Sequence, residues 1–154
     1  MGGNKKILAL LTLIVLAASV SAVSAFGFDD LLGGENETVT IDGIDFNIPA
    51  GFKEDANYSA ENEKTSIGSV SYTFDQKLYE KGSTAVSILV ADYGENKVTD
   101  EIVGSIGGEK ATLNGIDGYS SKENDIYIFS YAKNDKLVTI TSTDEKVISD
   151  FLIA

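Results

Sequence analysis

The stretch TVTIDGIDFNI, residues 38–48, decides how the fold begins. Apolar and polar residues alternate on both sides of Asp42-Gly43, and Asp-Gly favours a two-residue hairpin turn because both positions tolerate positive φ. With the turn at these two residues, Ile41 lies opposite Ile44, and the apolar side chains fall on one face. The side chains on that face are Val39, Ile41, Ile44 and Phe46. The stretch therefore predicts two antiparallel strands with one buried face.

A near copy of this turn occurs later in the chain. Residues 112–117 read Thr-Leu-Asn-Gly-Ile-Asp, which matches Thr-Ile-Asp-Gly-Ile-Asp at residues 40–45. Asn-Gly is the other common two-residue hairpin turn, so a second hairpin is predicted. The match is too short to indicate an internal duplication.

The rest of the chain predicts further strands around these hairpins. The polar, charged residues 53–64 predict a loop, and alternation over residues 70–74 predicts a half-exposed strand. Residues 85–93 and 126–131 are apolar on both faces, which is typical of central strands that are covered on both sides.

Two helices are also predicted. Thr99 precedes two acids and apolar residues at helical spacing, and Gly107-Gly108 ends that helix. Residues 142–145, Ser-Thr-Asp-Glu, form a capping-box pattern before the apolar residues Val147, Ile148, Phe151 and Leu152. Strands joined by two-residue turns are antiparallel, so the predicted class is α+β. We expect a mainly antiparallel sheet of about six to eight strands, with a short middle helix and a C-terminal helix packed on it.

The N-terminus has the pattern of a secretory signal. Lys5 and Lys6 precede an apolar run over residues 7–20, and small residues lead to Ala25. Cleavage after Ala25 predicts a signal peptide at 1–25, a Gly-rich acidic linker at 26–37 and one domain at 38–154, secreted or at the cell surface. The alternative is an uncleaved anchor, because residues 7–28 carry no charge and about 20 apolar residues span a bilayer.

The composition excludes several kinds of chemistry. The 154 residues include 24 acids and 12 lysines, with no Arg, His or Cys, and the net charge is −12. Ser-His-Asp and Cys-His catalysis, zinc sites built on imidazole or thiolate, and disulfides are therefore excluded. Repulsion makes nucleic acid and anionic membrane surfaces poor partners, and the acidic surface favours a monomer.

The two matching turns suggest one candidate metal site. Asp42, Asp45, Asn114 and Asp117 carry the oxygen ligands that Ca²⁺ prefers. Their spacing lacks the alternating acids of a calcium loop, so the interpretation as plain hairpin turns is favoured. We expect no cofactor, with Ca²⁺ as the alternative.

Asn36 and Asn57 are candidate glycosylation sites. They begin Asn36-Glu37-Thr38 and Asn57-Tyr58-Ser59, which fit the acceptor pattern in segments predicted to be exposed.

No catalytic residues stand out. Hydrolysis by paired carboxylates, or a Ser-Lys pair, stays open, but with so many acids a suitably spaced pair carries little information. The seven tyrosines are interpreted as core residues, chiefly Tyr72, Tyr127 and Tyr131, and alternatively as a binding surface.

Four segments resemble small exported proteins of methanogenic archaea that have no assigned function. They are IDGIDFNIPAGFKE (41–54), VTDEIVGSIGGEKATLNGIDGY (98–119), YIFSYAKNDKLVTITSTDEK (127–146) and the signal with the following FGFDD. A weaker resemblance in architecture is to PsbP-type domains, which include non-catalytic accessory subunits. The resemblance implies a compartment and a domain rather than a reaction. The leading hypothesis is an exported, non-enzymatic accessory or binding domain of the archaeal cell envelope with an unidentified envelope or extracellular partner. The alternatives are a Ca²⁺-stabilised envelope module and a carboxylate-based hydrolase.

Overall fold

The computed structural model describes residues 35–154. The predicted signal peptide and residues 26–34 of the predicted linker lie outside the described residues. The strands are β1 (Glu37–Ile41), β2 (Ile44–Ile48), β3 (Lys53–Glu54), β4 (Ala60–Ile67), β5 (Val70–Lys81), β6 (Thr84–Asp92), β7 (Glu109–Leu113), β8 (Ile116–Glu123), β9 (Ile126–Lys133) and β10 (Lys136–Ser142). The helix α1 (Asp100–Ile106) and two 3₁₀ helices, Ala56–Tyr58 and Glu145–Phe151, complete the described elements.

Eight of the strands form one antiparallel sheet, in the order β3-β5-β6-β10-β9-β8-β7, with β4 beside β3 on the same edge of β5. The strands β1 and β2 form a separate two-stranded sheet. Their register places Ile41 opposite Ile44 and Val39 opposite Phe46, as the turn predicted. The predicted class, α+β with a mainly antiparallel sheet, is therefore confirmed.

The sheet has two buried faces. On the face that we call the hairpin face, Val86, Ile88 and Val90 of β6 pack with the β1–β2 hairpin and the C-terminal 3₁₀ helix. On the opposite face, which we call the helix face, Leu89 and Ala91 pack with Val103 of α1. The period of two along β6 thus supplies both cores, as the apolar stretch at residues 85–93 predicted.

The helix α1 begins after Thr99, whose side chain accepts a hydrogen bond from the backbone N–H of Ile102 (3.3 Å). It ends at Gly107, where φ is +133°. It has seven residues, so packing of its apolar side rather than helix propensity keeps it in place. Within residues 35–154, helices of the length and hydrophobicity that crossing a bilayer requires are not found.

The C-terminal element is a 3₁₀ helix, whereas the capping-box pattern predicted an α-helix. The backbone N–H of Thr143 still bonds to Ala85 of the sheet, and Leu152 already bridges to Phe46. Only seven residues, Glu145–Phe151, are left between these two anchors, with Asp144 as the N-cap. Three residues per turn place the buried Ile148 and Phe151 on the same side, which suits the tighter helix.

The predicted loop at residues 53–64 was wrong. The segment contains β3, the 3₁₀ helix Ala56–Tyr58 and the first half of β4. Residues 61–66 of β4 are all exposed, because this strand lies at the edge of the sheet with little packed against it. An edge strand that is exposed on both faces shows no apolar alternation.

Candidate ligand-binding cleft

A cleft of about 460 Å³ lies between α1 and the β7–β8 hairpin. This volume is within the range of small-molecule sites, roughly 300–1,000 Å³. Its lining residues come from four consecutive elements: Asp100, Glu101, Val103, Lys110, Ala111, Thr112, Asp117, Gly118, Tyr119 and Tyr131.

The β7–β8 hairpin supplies most of the polar lining. The turn places Thr112 opposite Asp117 and Lys110 opposite Tyr119, so these four side chains lie on the same face. The Thr112 hydroxyl donates a 2.6 Å hydrogen bond to the Asp117 carboxylate, which fixes the position of this acid. Tyr119 packs with the apolar cluster beneath α1, so this side of the hairpin is the helix face.

The helix α1 supplies the opposite wall of the cleft. Asp100 and Glu101 lie exposed in its first turn, where the positive end of the helix dipole favours acids. Val103 is 1% exposed and anchors the helix to the sheet. A Cβ at Gly104 would lie 2.6 Å from the Tyr119 hydroxyl oxygen, so the absence of a side chain lets the Tyr119 ring approach the helix.

Gly118 and Tyr131 complete the lining. A Cβ on Gly118 would lie 2.6 Å from the carbonyl oxygen of Ser130 and 2.7 Å from Cζ of Phe129. Gly118 therefore leaves room for the Phe129 ring to lie against β8. Tyr131 is 3% exposed, and this burial raises the pKa of its hydroxyl, so the group is a neutral phenol at ordinary pH.

The electrostatic character of the cleft is negative. Its lining includes the carboxylates of Asp100, Glu101 and Asp117 and the single ammonium group of Lys110. All four charged side chains are exposed. Together with the exposed Thr112, these side chains give the cleft mainly hydrogen-bond acceptors and negative charge.

The four metal candidates have four different partners. Asp42 forms an ion pair with Lys136 (3.1 Å), and Asp45 accepts a 2.6 Å hydrogen bond from Thr40. Asn114 donates to the carbonyl of Leu152 (2.7 Å), and Asp117 lies in the cleft. Groups of three or more acidic side chains placed to hold a metal are not found within residues 35–154.

Both glycosylation candidates are exposed. The side-chain oxygen of Asn36 accepts a hydrogen bond from the backbone N–H of Ala50 (2.9 Å). Asn57 lies in the first 3₁₀ helix, and the Ser59 hydroxyl of its motif donates to Glu54 (3.2 Å). Glycosylation of either residue stays a prediction.

The tyrosines are mostly core residues. Tyr72, Tyr79, Tyr93 and Tyr131 are buried, and Tyr127 is half-buried. Among residues 35–154, Tyr58 is the one tyrosine in the exposed class, at 40%. The alternative of a tyrosine-rich binding surface therefore loses its support.

A second concave region lies where the C-terminus passes between the two hairpins. It is more open than the cleft, and its lining includes Asn47, Asn114, Asp150 and Leu152. The amides of Asn47 and Asn114 already donate to the carbonyls of Asp150 and Leu152 (both 2.7 Å). Because these donors hold the C-terminal segment, the α1 cleft is the better candidate for a ligand.

Of the cleft residues, Asp117 was predicted from the sequence as a possible metal ligand. Asp100 and Glu101 were interpreted only as first-turn acids of a helix, Tyr119 and Tyr131 only among the seven tyrosines, and Lys110 was given no role. The Asn-Gly turn does predict that Lys110, Thr112, Asp117 and Tyr119 share one face. It carries no information on which element covers that face.

Comparison of the chain with protein-family profiles, with curated proteins and with solved structures finds no match.

Proposed function

We propose that this chain is an exported, non-enzymatic binding domain of the cell envelope, and that the α1 cleft binds a small polar ligand that carries positive charge. The cleft is the observation that supports a binding role. It is concave, of suitable volume, and lined by a small set of polar groups over apolar positions such as Val103 and Ala111.

The positive charge of the ligand is inferred from the residues that line the cleft. Three carboxylates and one ammonium group leave an excess of negative charge, and the whole chain carries −12. A cation is attracted both by the cleft and by the field of the whole protein. The exposed Thr112 hydroxyl, next to the Asp117 carboxylate, is suited to the polar part of such a ligand.

The location and the lack of catalysis are supported by the sequence. The apolar run at residues 7–20 and the small residues before Ala25 favour export. The resemblance to small exported archaeal proteins favours the same compartment, and the lack of His and Cys narrows the catalytic options. The proposal includes a partner for this domain, which is a component of the envelope or of the extracellular space.

The structure offers a matched control for a binding test. Asp45 and Asp117 occupy the same position in the two hairpins, and each accepts a 2.6 Å hydrogen bond from a threonine five residues before it. Asp117 lines the cleft, whereas Asp45 is exposed on the other hairpin. Replacing either acid by Asn removes one charge and alters the same local hydrogen bond.

The test is calorimetric titration of the exported protein with putrescine and spermidine as cationic probes, at low and physiological ionic strength. We expect D117N to weaken binding by about two- to fivefold, since an exposed charge pair contributes up to about 1 kcal/mol. D45N leaves binding within error of the wild type.

Equal losses in D117N and D45N would show that only the overall charge attracts the probes, and would overturn the cleft assignment. Absence of heat with either probe at millimolar concentration would overturn the proposed ligand charge. Turnover of a glycoside panel that is lost in D117N would replace the binding role by a carboxylate-based hydrolase.

A further inference from the structure

The outer edge of β7 is open along the cleft. The strand β7 stands at one end of the large sheet, and among residues 35–154 its one strand partner is β8. Glu109, Lys110 and Thr112 are exposed, and Ala111 and Leu113 are half-buried. An edge strand carries a row of backbone N–H and C=O groups without strand partners, and an added strand can bind them.

The turn of the hairpin determines which residues offer these groups. Leu113 and Ile116 flank the two-residue turn, so they exchange both backbone hydrogen bonds. Hydrogen-bonded and non-hydrogen-bonded pairs alternate along antiparallel strands, so the N–H and C=O groups of Lys110 and Thr112 point away from β8. The 2.6 Å hydrogen bond between the side chains of Thr112 and Asp117 agrees, because side chains lie closer together in non-hydrogen-bonded pairs.

The two residues that offer backbone groups also line the cleft. Side chains alternate between the two faces of β7, so Lys110 and Thr112 face the cleft, whereas Ala111 and Leu113 pack on the hairpin face. A strand added to this edge places the side chains opposite Lys110 and Thr112 on the cleft side too. One ligand can therefore pair with the backbone of β7 and occupy the cleft.

The opposite edge of the sheet is less suited to an added strand. Its strand β4 has a register shift between Ala60 and Glu63, and the φ of Asn62 within this shift is +50°. A bulge and charged side chains such as Glu61 and Glu63 keep an edge from pairing. The strand β7, in contrast, keeps a continuous register with β8 over all of its five residues.

We propose that the ligand of the cleft is an extended peptide segment that adds to β7 as a further strand and places a lysine side chain in the cleft. This proposal rests on the binding role proposed above and names the class of partner. The three carboxylates of the cleft provide the charge complementarity. The described pairings of the large sheet are all antiparallel, so we expect the added strand to be antiparallel too. Lys110 and Thr112 then each exchange two backbone hydrogen bonds with the peptide.

The side chains along β7 determine the peptide sequence that fits this edge. The peptide residue opposite Thr112 lies roughly 10 Å, or two strand spacings, from Asp117, and a lysine stem together with the aspartate side chain can bridge this distance. The next residue lies opposite Ala111 on the hairpin face, where an apolar side chain is suited. The third lies opposite Lys110, where an acid is favoured because like charges across strands repel. The predicted pattern, in chain direction, is lysine, an apolar residue and an acid.

The test uses the peptide acetyl-Ser-Val-Lys-Val-Glu-Val-Ser-amide, unmodified and in two N-methylated forms. Methylation of the lysine backbone nitrogen removes the donor that bonds to the carbonyl of Thr112. Methylation of the valine nitrogen between lysine and glutamate is the control, because the N–H opposite Ala111 points away from β7. All three peptides carry the same charges, so a difference between the methylated forms reports an added strand.

NMR titration of the ¹⁵N-labelled protein measures the three dissociation constants, and we expect the amides of residues 110 and 112 to shift. The unmodified and valine-methylated peptides are expected to agree within about twofold, and the lysine-methylated peptide is expected to bind about tenfold more weakly or worse. We expect D117N to weaken the unmodified peptide by about two- to fivefold.

Equal affinities of the two methylated peptides would overturn the added strand and leave the proposed binding of cations intact. Absence of peptide binding to a protein that still binds spermidine through Asp117 would overturn the inference in the same way. Failure of both probes would overturn the proposed function as well. A dimer whose formation shields the amides of residues 110 and 112 from the peptide would assign the edge to a second copy of the chain and would also overturn the inference.

Discussion

The two hairpins β1–β2 and β7–β8 share almost the same turn but occupy different positions in the fold. In the first, Asp42 and Gly43 have φ of +46° and +81°, and in the second Asn114 and Gly115 have +47° and +78°. Both turns carry the same 2.6 Å hydrogen bond from threonine to aspartate. The first hairpin lies across the hairpin face, whereas the second forms the edge of the large sheet.

The difference lies outside the turn. Directly after the shared motif, the first hairpin has Phe46 and the second has Gly118 at the equivalent position. Phe46 is fully buried in the core of the hairpin face, whereas Gly118 leaves space for Phe129 of the adjacent strand. Local sequence therefore determines the turn, and a few side chains with distant partners determine where each hairpin packs.

The largest expected effect is at Phe46. Phe46→Ala removes a ring that is 0% exposed and is expected to lower the free energy of unfolding by about 3–5 kcal/mol. Val39→Ala, at the half-buried position opposite Phe46, is the control and is expected to cost about 1 kcal/mol. Urea unfolding followed by circular dichroism measures both, and equal losses would mean that the hairpin is not anchored through Phe46.

The next effect compares equivalent isoleucines directly after the two turns. Ile44 is 3% exposed and Ile116 is half-buried. Ile44→Ala is therefore expected to cost about 2–5 kcal/mol and Ile116→Ala about 1–2 kcal/mol, since less apolar surface is lost at the second site. A larger loss at Ile116 would reverse the assignment of the buried and edge hairpins.

Gly118→Ala tests whether the second hairpin is adapted to its neighbour. The added methyl group meets the Ser130 carbonyl and the Phe129 ring, so we expect a loss of about 1–3 kcal/mol. Ser120→Ala, two residues along the same strand, is expected to stay within about 0.5 kcal/mol of the wild type. Thermal unfolding measures both variants, and a neutral Gly118→Ala would contradict the close packing of β8 against β9.

The stability of the fold at alkaline pH tests whether the first hairpin shields Tyr79 from solvent. Burial raises the pKa of Tyr79, and Glu54 and Glu37 of β1 add to this effect. The folded state thus retains the proton to higher pH than the unfolded state, whose pKa is about 10. Stability is complete below about pH 10 and falls above it, by up to about 1.4 kcal/mol per pH unit for this group.

Tyr79→Phe is expected to make this decline in stability shallower, and Tyr58→Phe at an exposed position is expected to leave it unchanged. Unfolding free energies between pH 9 and 12 provide the measurement. Parallel curves for the wild type and Tyr79→Phe would show that the Tyr79 hydroxyl is not shielded.

The smallest expected effect tests how closely the two turns agree in stability. Thr40→Val and Thr112→Val each remove the donor of an exposed hydrogen bond to aspartate, and each is expected to cost about 0.5–1 kcal/mol. The two losses are expected to agree within about 0.5 kcal/mol. A larger disagreement would show that the surroundings, and not the local sequence, stabilise one of the turns.

Much of the sheet could be predicted because its signals are local. Two-residue turns determine register, so the pairing of Ile41 with Ile44 and of Val39 with Phe46 follows from the sequence. The strand β4 was missed because its exposed edge carries no alternation. The C-terminal 3₁₀ helix was predicted as α because the pattern does not include the anchors at Thr143 and Leu152.

The candidate cleft was harder to predict because it depends on contacts between elements that are distant in the sequence. The hairpin pattern places Asp117 and Tyr119 on one face, but only tertiary packing brings α1 over that face. A short helix with one fully buried residue, Val103, has too weak a pattern to indicate its position on the sheet. The sequence therefore did not indicate that Asp100 and Glu101, in its first turn, line the same cleft as Asp117.

The most direct test of the binding role is an NMR titration of the ¹⁵N-labelled protein with spermidine. We expect the shifted amides to concentrate at residues 100–103 and 110–119, and we expect D117N to reduce these shifts while D45N does not. Shifts that spread over the acidic edge strand β4, or that persist unchanged in D117N, would contradict the assignment of the α1 cleft as the binding site.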